Sequence, residues 1–178
     1  MGSEAMPEEL RVRVYPDKVL RRRAEKIARD SFGDELGQLA STMADIMYGS
    51  AGVGLAAPQV GVSLRLIVID PTPERRSPTF LVNPRIVDFS GRYSDVEGCL
   101  SLPGVSAEVK RAERLTVEFE TLSGKPDSLD AKGLPARIVQ HEVDHLDGRL
   151  FIDRLGPEGR LAVRDDVLKL EEAAAGGE

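Results

Sequence analysis

The sequence predicts an α+β fold: a largely antiparallel sheet packed around a central helix, with an amphipathic helix before it and another at the C-terminal end. Three observations lead there. Apolar residues recur at helical spacing early in the chain, short β-type runs dominate the middle, and two helical stretches close it. Strands and helices that are segregated rather than alternating fit α+β and not a doubly wound sheet.

Taken in order, Arg11–Tyr15 alternates like a strand, and Pro16 opens a charged segment, Asp17–Arg29, with Val19, Leu20 and Ile27 as its apolar points. In Asp34–Tyr48, the residues Leu36, Leu39, Met43, Ile46 and Met47 fall on one helical face. Their methionines read as core. Gly49–Gly61 is a glycine-rich loop. Leu64–Ile69 is an apolar run stopped by Asp70-Pro71, hence a strand. Phe80–Phe89 and Arg114–Thr121 are further strands, the second alternating at Leu115, Val117 and Phe119. Ser123–Pro126 is a turn. A helix over Pro135–Leu146 ends at Gly148, and a last helix covers Pro157–Glu172. Residues 1–10 read as a flexible leader, 11–172 as one catalytic domain and 173–178 as a flexible tail.

Composition narrows the function. A chain of 178 residues, 41% apolar and 30% charged, suits one globular domain. Aromatics are scarce and Trp is absent, so aliphatic side chains must fill the core. The net charge of -6 excludes a general DNA or RNA binder, which needs a basic face. No run approaches the ~18 apolar residues of a membrane span. Met1–Arg13 is too polar for a signal peptide. A single cysteine allows no intrachain disulfide, which fits a reducing cytoplasm.

The chain has only two histidines, His141 and His145, and they form an HExxH pattern. On a helix, positions i and i+4 lie one above the other, so two imidazoles can hold one metal ion. Glu142, between them, can act as base on a water bound to that metal. Five-residue patterns also arise by chance, and helical histidines are often plain surface residues. Here Gly133 and Pro135 precede the pattern, and Ile138, Val139 and Leu146 supply an apolar face.

A third ligand is then required. Cys99, in Glu97-Gly98-Cys99-Leu100-Ser101, offers a thiolate, although a lone cysteine is more often a small buried hydrophobe. Two imidazoles and one thiolate leave the fourth tetrahedral position open for water, as a catalytic site needs. Gly98 is expected to let the backbone approach closely in a crowded site. The segment Gly52–Gly61 reads as a connector, as a phosphate loop that lacks the usual Lys-Ser/Thr, or as the carrier of Gln59, whose amide is a neutral donor suited to an oxyanion.

Together these segments resemble the peptide deformylase family, which is marked by GxGLAAxQ, EGCLS and QHExDH in that order. The matching residues are Gly52–Gln59, Glu97–Ser101 and Gln140–His145. The likeness extends through Asn83-Pro84, Leu102-Pro103-Gly104, Leu146-Asp147-Gly148 and Phe151–Leu155, covering Val14 to Leu155. It implies a metal-dependent hydrolase that removes the formyl group from N-formyl-methionyl nascent peptides and releases formate.

The resemblance implies Cys99, His141 and His145 as ligands of one divalent ion, natively Fe²⁺, with Ni²⁺ or Zn²⁺ able to substitute. Glu142 would be the general base, with the Gln59 side chain and the Leu100 backbone N–H as oxyanion donors. Val53, Gly54, Glu97 and Gly98 would border the substrate, and Leu134 and Ile138 would wall the methionine pocket. A transient ribosome contact is a further partner of this kind. The basic tail of some bacterial members is not matched, because Ala173–Glu178 is acidic. A bacterial, cytoplasmic enzyme is expected. The competing class is a zincin metallopeptidase, which would need a further downstream His or Glu ligand; no third His exists here.

Overall fold

The computed structural model describes residues 9–177. Three α-helices and seven strands follow the predicted order of classes: α1 (Asp34–Gly49), then β1 (Gly54–Ala56), β2 (Leu66–Ile69), β3 (Thr79–Ser90), β4 (Tyr93–Cys99), β5 (Leu102–Arg111), β6 (Arg114–Glu120) and β7 (Pro126–Lys132), then α2 (Leu134–Leu146) and α3 (Pro157–Ala175). The strands form two sheets, a five-stranded one in the order β1-β2-β3-β6-β7 and a two-stranded β4-β5 hairpin. Every pairing between them is antiparallel. The α+β expectation holds.

Several local expectations change. Arg11–Tyr15 joins no ladder; instead Arg13 N–H donates to the Gln59 carbonyl at 2.7 Å and Tyr15 N–H to the Ser101 carbonyl at 2.8 Å. The loop Gly49–Gly61 contains a strand, β1, and a 3-10 turn over Ala57–Val60. Helix α3 runs to Ala175, three residues beyond the expected Glu172. Residues 1–8 of the expected leader lie outside the described residues.

Helix α2 sits at the centre because one of its faces is apolar. Ala136, Ile138, Val139 and Leu146 pack on Ile67, Ile69, Leu81, Leu115 and Val117 of the five-stranded sheet. Each fully buried Ile, Leu or Val of this kind contributes about 1.5–3 kcal/mol. Helix α1 closes a second core with Leu36, Leu39, Met43 and Met47, so its methionines are core as expected. The hairpin packs elsewhere: Leu102, Val105 and Val109 meet Phe151 of the last 3-10 turn, Leu155 just after it and Val163 of α3.

Candidate active site

The site lies where α2, β1 and the β4-β5 hairpin converge. The i, i+4 spacing on α2 brings the His141 and His145 rings to a centroid separation of 5.1 Å. β4 ends on Cys99, where a register shift interrupts its pairing with β5. The Cys99 Sγ lies 3.3 Å from His145 Nε2. One donor atom from each of Cys99, His141 and His145 falls within 4.8 Å of the others, close enough for a single ion. Sulfur plus two imidazole nitrogens suits Fe²⁺, Ni²⁺ or Zn²⁺.

The surroundings settle which nitrogens face that centre. His141 Nδ1 is 2.9 Å from Glu97 Oε2, so it donates there and leaves Nε2 for a metal. Burial alone would lower the His141 pKa, but contact with Cys99 and the bond to Glu97 outweigh it and raise it to about 10. His145 is pushed the other way, well below its ordinary value, by burial and by the neighbouring His141 charge.

Glu142 is 4% exposed, and its Oε2 is buried with no partner among the described residues. Burial raises its carboxyl to about 7, against the opposing pull of His141. A buried polar atom without a partner is costly, and this one sits beside the ligand triad. A carboxylate held ready for a water proton fits a metal centre with an open position.

Gln59 is aimed by the 3-10 turn that carries it. Its Oε1 accepts from Ala56 N–H at 2.9 Å, which fixes the amide and turns Nε2 toward the site. Nε2 reaches Ser101 Oγ at 3.2 Å and Cys99 Sγ at 3.5 Å. Gly54 is a glycine for a steric reason. A Cβ there would come within 2.6 Å of Glu142 Oε1 and 2.8 Å of Ile138 Cγ2.

A cavity of about 400 Å³ opens beside these groups. All the residues expected at the substrate line it: Val53, Gly54, Glu97, Gly98, Leu134 and Ile138, together with Gln59, Leu100, Cys99, His141 and Glu142. Leu134 is 52% exposed, whereas Ile138 is buried and also belongs to the sheet-facing core. His145 lies deeper, outside the cavity lining.

One expectation gains a structural role and one needs correction. Glu97 borders the cavity as expected, and its carboxylate also binds His141, Arg111 and Arg137. Arg111 and His141, outweighing burial, hold it well below the usual carboxylate range. Gly98 is not demanded by crowding, because an added Cβ would meet only the Val105 carbonyl oxygen at 3.8 Å.

Sequence reading missed Arg111, Arg137, Asp144 and Ser101. Arg111 forks onto Glu97 at 2.6 and 2.9 Å and reaches Asp144 at 2.8 Å. The available signal was a charge in the inward phase of a strand whose other inward residues are Leu102, Val105 and Val109. A wider surface groove of about 1420 Å³ runs behind α2 past Gln140, Val143 and Asp144, but none of the triad lines it.

The polypeptide deformylase family model matches residues 9–160. The chain belongs to that family. It is 46% identical over 163 residues to peptide deformylase 2 of Gloeobacter violaceus, covering 90% of this chain and 85% of the relative. A solved peptide deformylase from Legionella pneumophila is 42% identical with a TM-score of 0.84, covering 93% of this chain and 97% of that one. A plant peptide deformylase structure superposes with a TM-score of 0.90 at 37% identity, covering 96% of this chain and 93% of that one. Deformylases are metal-dependent and act on formylated nascent peptides, which accounts for a Cys-His-His cluster beside a peptide-sized cavity. Among the described residues, no helix is long and apolar enough to cross a membrane.

Proposed function

We propose that this deformylase removes the formyl group from N-terminal formyl-methionine with Cys99, His141 and His145 holding the ion. The ion, when bound, acts as a Lewis acid and makes a water acidic enough to yield a nucleophile near neutral pH.

The rest is done by the chain's own groups. Glu142 takes the proton from the attacking water, whose oxygen forms the new bond to the formyl carbon. The same carboxyl then delivers that proton to the amine nitrogen as the C–N bond breaks, giving formate and a free methionine amine. The Gln59 Nε2 and the Leu100 backbone N–H donate to the oxyanion of the tetrahedral intermediate. Glu97 acts from behind His141, fixing its tautomer.

The peptide has room to lie as an added strand. The cavity is bordered by β1, an edge strand of the larger sheet, and by β4 of the two-stranded hairpin. Val53, Gly54 and Gly98 would offer backbone to it, and Leu134 and Ile138 would receive the methionine side chain. Fe²⁺ is the proposed native ion, with Ni²⁺ or Zn²⁺ as substitutes, and the bacterial cytoplasm the proposed setting, on chains leaving the ribosome.

The observation that carries this reading is the unpaired Glu142 Oε2, set beside the triad and within reach of the cavity. The test is formate release from a short formyl-methionyl peptide, using protein purified without oxygen and assayed for bound metal. Release is expected in the wild type and lost in Glu142→Ala with the metal retained. No release from metal-loaded protein would refute the reading. Loss of activity in air, prevented by Ni²⁺ substitution, would support iron, and indifference to air would count against it.

A further inference from the structure

The three metal-site residues come from two separately packed bodies. Helix α2 shares its buried apolar cluster with the five-stranded sheet, while the hairpin that ends in Cys99 shares one with α3 and the 3-10 turn at Phe151–Arg154. No buried apolar residue of β4 or β5 belongs to the helix's cluster. Yet Cys99 Sγ must meet two α2 imidazoles across the seam.

Charge crosses that seam. Arg137 stands on α2 one turn before His141, is 4% exposed, and makes four contacts with the hairpin. Its Nη1 donates to Glu97 Oε1 at 2.6 Å and to the Val109 carbonyl at 2.9 Å. Its Nη2 donates to the Tyr93 carbonyl and its Nε to the Tyr93 hydroxyl, both at 3.2 Å. The guanidinium also lies 4.4 Å from the centre of the Tyr93 ring. One side chain therefore grips β4 at both ends and β5 in between.

Through Glu97 this grip reaches the metal site. Glu97 Oε1 accepts from Arg137 and Arg111, and Oε2 accepts from Arg111 and His141. A carboxylate has about four acceptor positions, so every one is in use and the group has a single orientation. Only a planar fork with several donors can make these bonds at once; a lysine cannot.

We infer that Arg137 is a positioning residue for the metal site: it docks the Cys99 hairpin onto α2 and aims Glu97 at His141. This rests on the proposed ligand role of Cys99, His141 and His145. Arg137 also lines the substrate cavity, and its bonds to Glu97 and to β4 join that wall to His141.

The test compares Arg137→Met, which keeps the stem and removes every donor, with Arg137→Lys, which keeps charge without the fork. Each is loaded with Ni²⁺ for chelator competition and with Co²⁺ for visible absorption, alongside thermal unfolding and formate-release kinetics. Ni²⁺ affinity is expected to fall about 10–100-fold in Arg137→Met, the usual scale for losing an outer-shell partner, and less in Arg137→Lys. The Co²⁺ bands should shift, and kcat should fall more than KM rises. Unchanged or tighter Ni²⁺ binding with an unshifted spectrum overturns the inference, as does a loss confined to KM or to melting temperature. If Arg137→Met does not fold, wild-type Ni²⁺ affinity in Arg137→Lys overturns it. Metal binding is read without formylated peptide. A wild type that binds Ni²⁺ and releases no formate would refute the deformylase mechanism alone.

Discussion

The two long sides of helix α2 hold their neighbours by different physics. Toward the five-stranded sheet the contacts are Ala136, Val139 and Leu146 against aliphatic side chains. Toward the hairpin they are Arg137, His141 and Asp144 against Glu97, Arg111 and backbone carbonyls. Apolar packing is non-directional and tolerates small shifts in register, so it supplies stability. A buried ion network is a poor source of net stability, because desolvation offsets attraction. It is, however, directional, and through Glu97 it fixes how the His141 imidazole is turned. Fold stability and site geometry are thus divided between opposite faces of one helix.

Substitutions on each side should separate these effects. The largest change is expected from Glu142→Ala, which faces the cavity: formate release should drop about 10²–10⁴-fold, the usual weight of a general acid–base group, with bound metal and melting temperature near normal. Metal loss in that variant would show that the carboxylate also supports the ligands. Gln59→Leu should lower kcat about 10²–10³-fold, as for a lost oxyanion donor; near-normal turnover with metal bound would remove Gln59 from the mechanism.

On the sheet side, Leu81→Ala empties a fully buried position. It should cost about 2–5 kcal/mol in denaturant unfolding, while activity per folded molecule stays within a few-fold. A large fall in kcat there would break the division between the two faces.

A smaller effect is expected at a polar knot whose side chains do not line the cavity. Asp70 is fully buried and accepts from Tyr48 Oη at 2.6 Å, Thr72 N–H at 3.0 Å, Thr72 Oγ1 at 2.5 Å and Ser77 N–H at 2.9 Å. Burial alone would raise its pKa, but these donors outweigh it and lower it from 3.8 to about 2. A depressed carboxylate stabilises the fold above its unfolded pKa and loses that contribution as pH falls through the folded one. The stability gap between wild type and Asp70→Asn should therefore narrow from about pH 4 down to about pH 2 in melting curves. A constant gap would mean that the knot acts through shape alone. The least change is expected from Gly98→Ala, where a methyl has ordinary room; folding and metal content should be unchanged, and any rise in KM would mark contact with the peptide.

What could be read from the sequence follows from how local each signal is. His141 and His145 are one helical turn apart, so their pairing needed only α2, and α2 was legible from its apolar face. Cys99, Glu142 and Gln59 fell within motifs that resemble the family. The hairpin was not legible as strands, because β4 exposes Ser94, Asp95 and Val96 in succession and shows no alternation. β7 is an edge strand of mostly exposed residues and reads as a loop for the same reason. The Arg137–Glu97–Arg111–Asp144 network joins residues far apart in the chain, and the one local signal, a charge at Arg111 in phase with Val105 and Val109, could be read only once β5 was known to be a strand. The structural role of Glu97, beside its place at the cavity, was therefore not legible.

Gly54 has a consequence for how this enzyme can vary. Any side chain there would push into Glu142 and Ile138, so the cost would fall on the carboxylate proposed for proton transfer as well as on folding. Most surface positions drift freely, but this one is closed to change by the chemistry it borders. A ligand that leans on the backbone at position 54 therefore meets a surface that mutation cannot easily remodel, and selection on turnover would keep that stretch of the cleft constant while its rim at Leu134 and Val96 diverges.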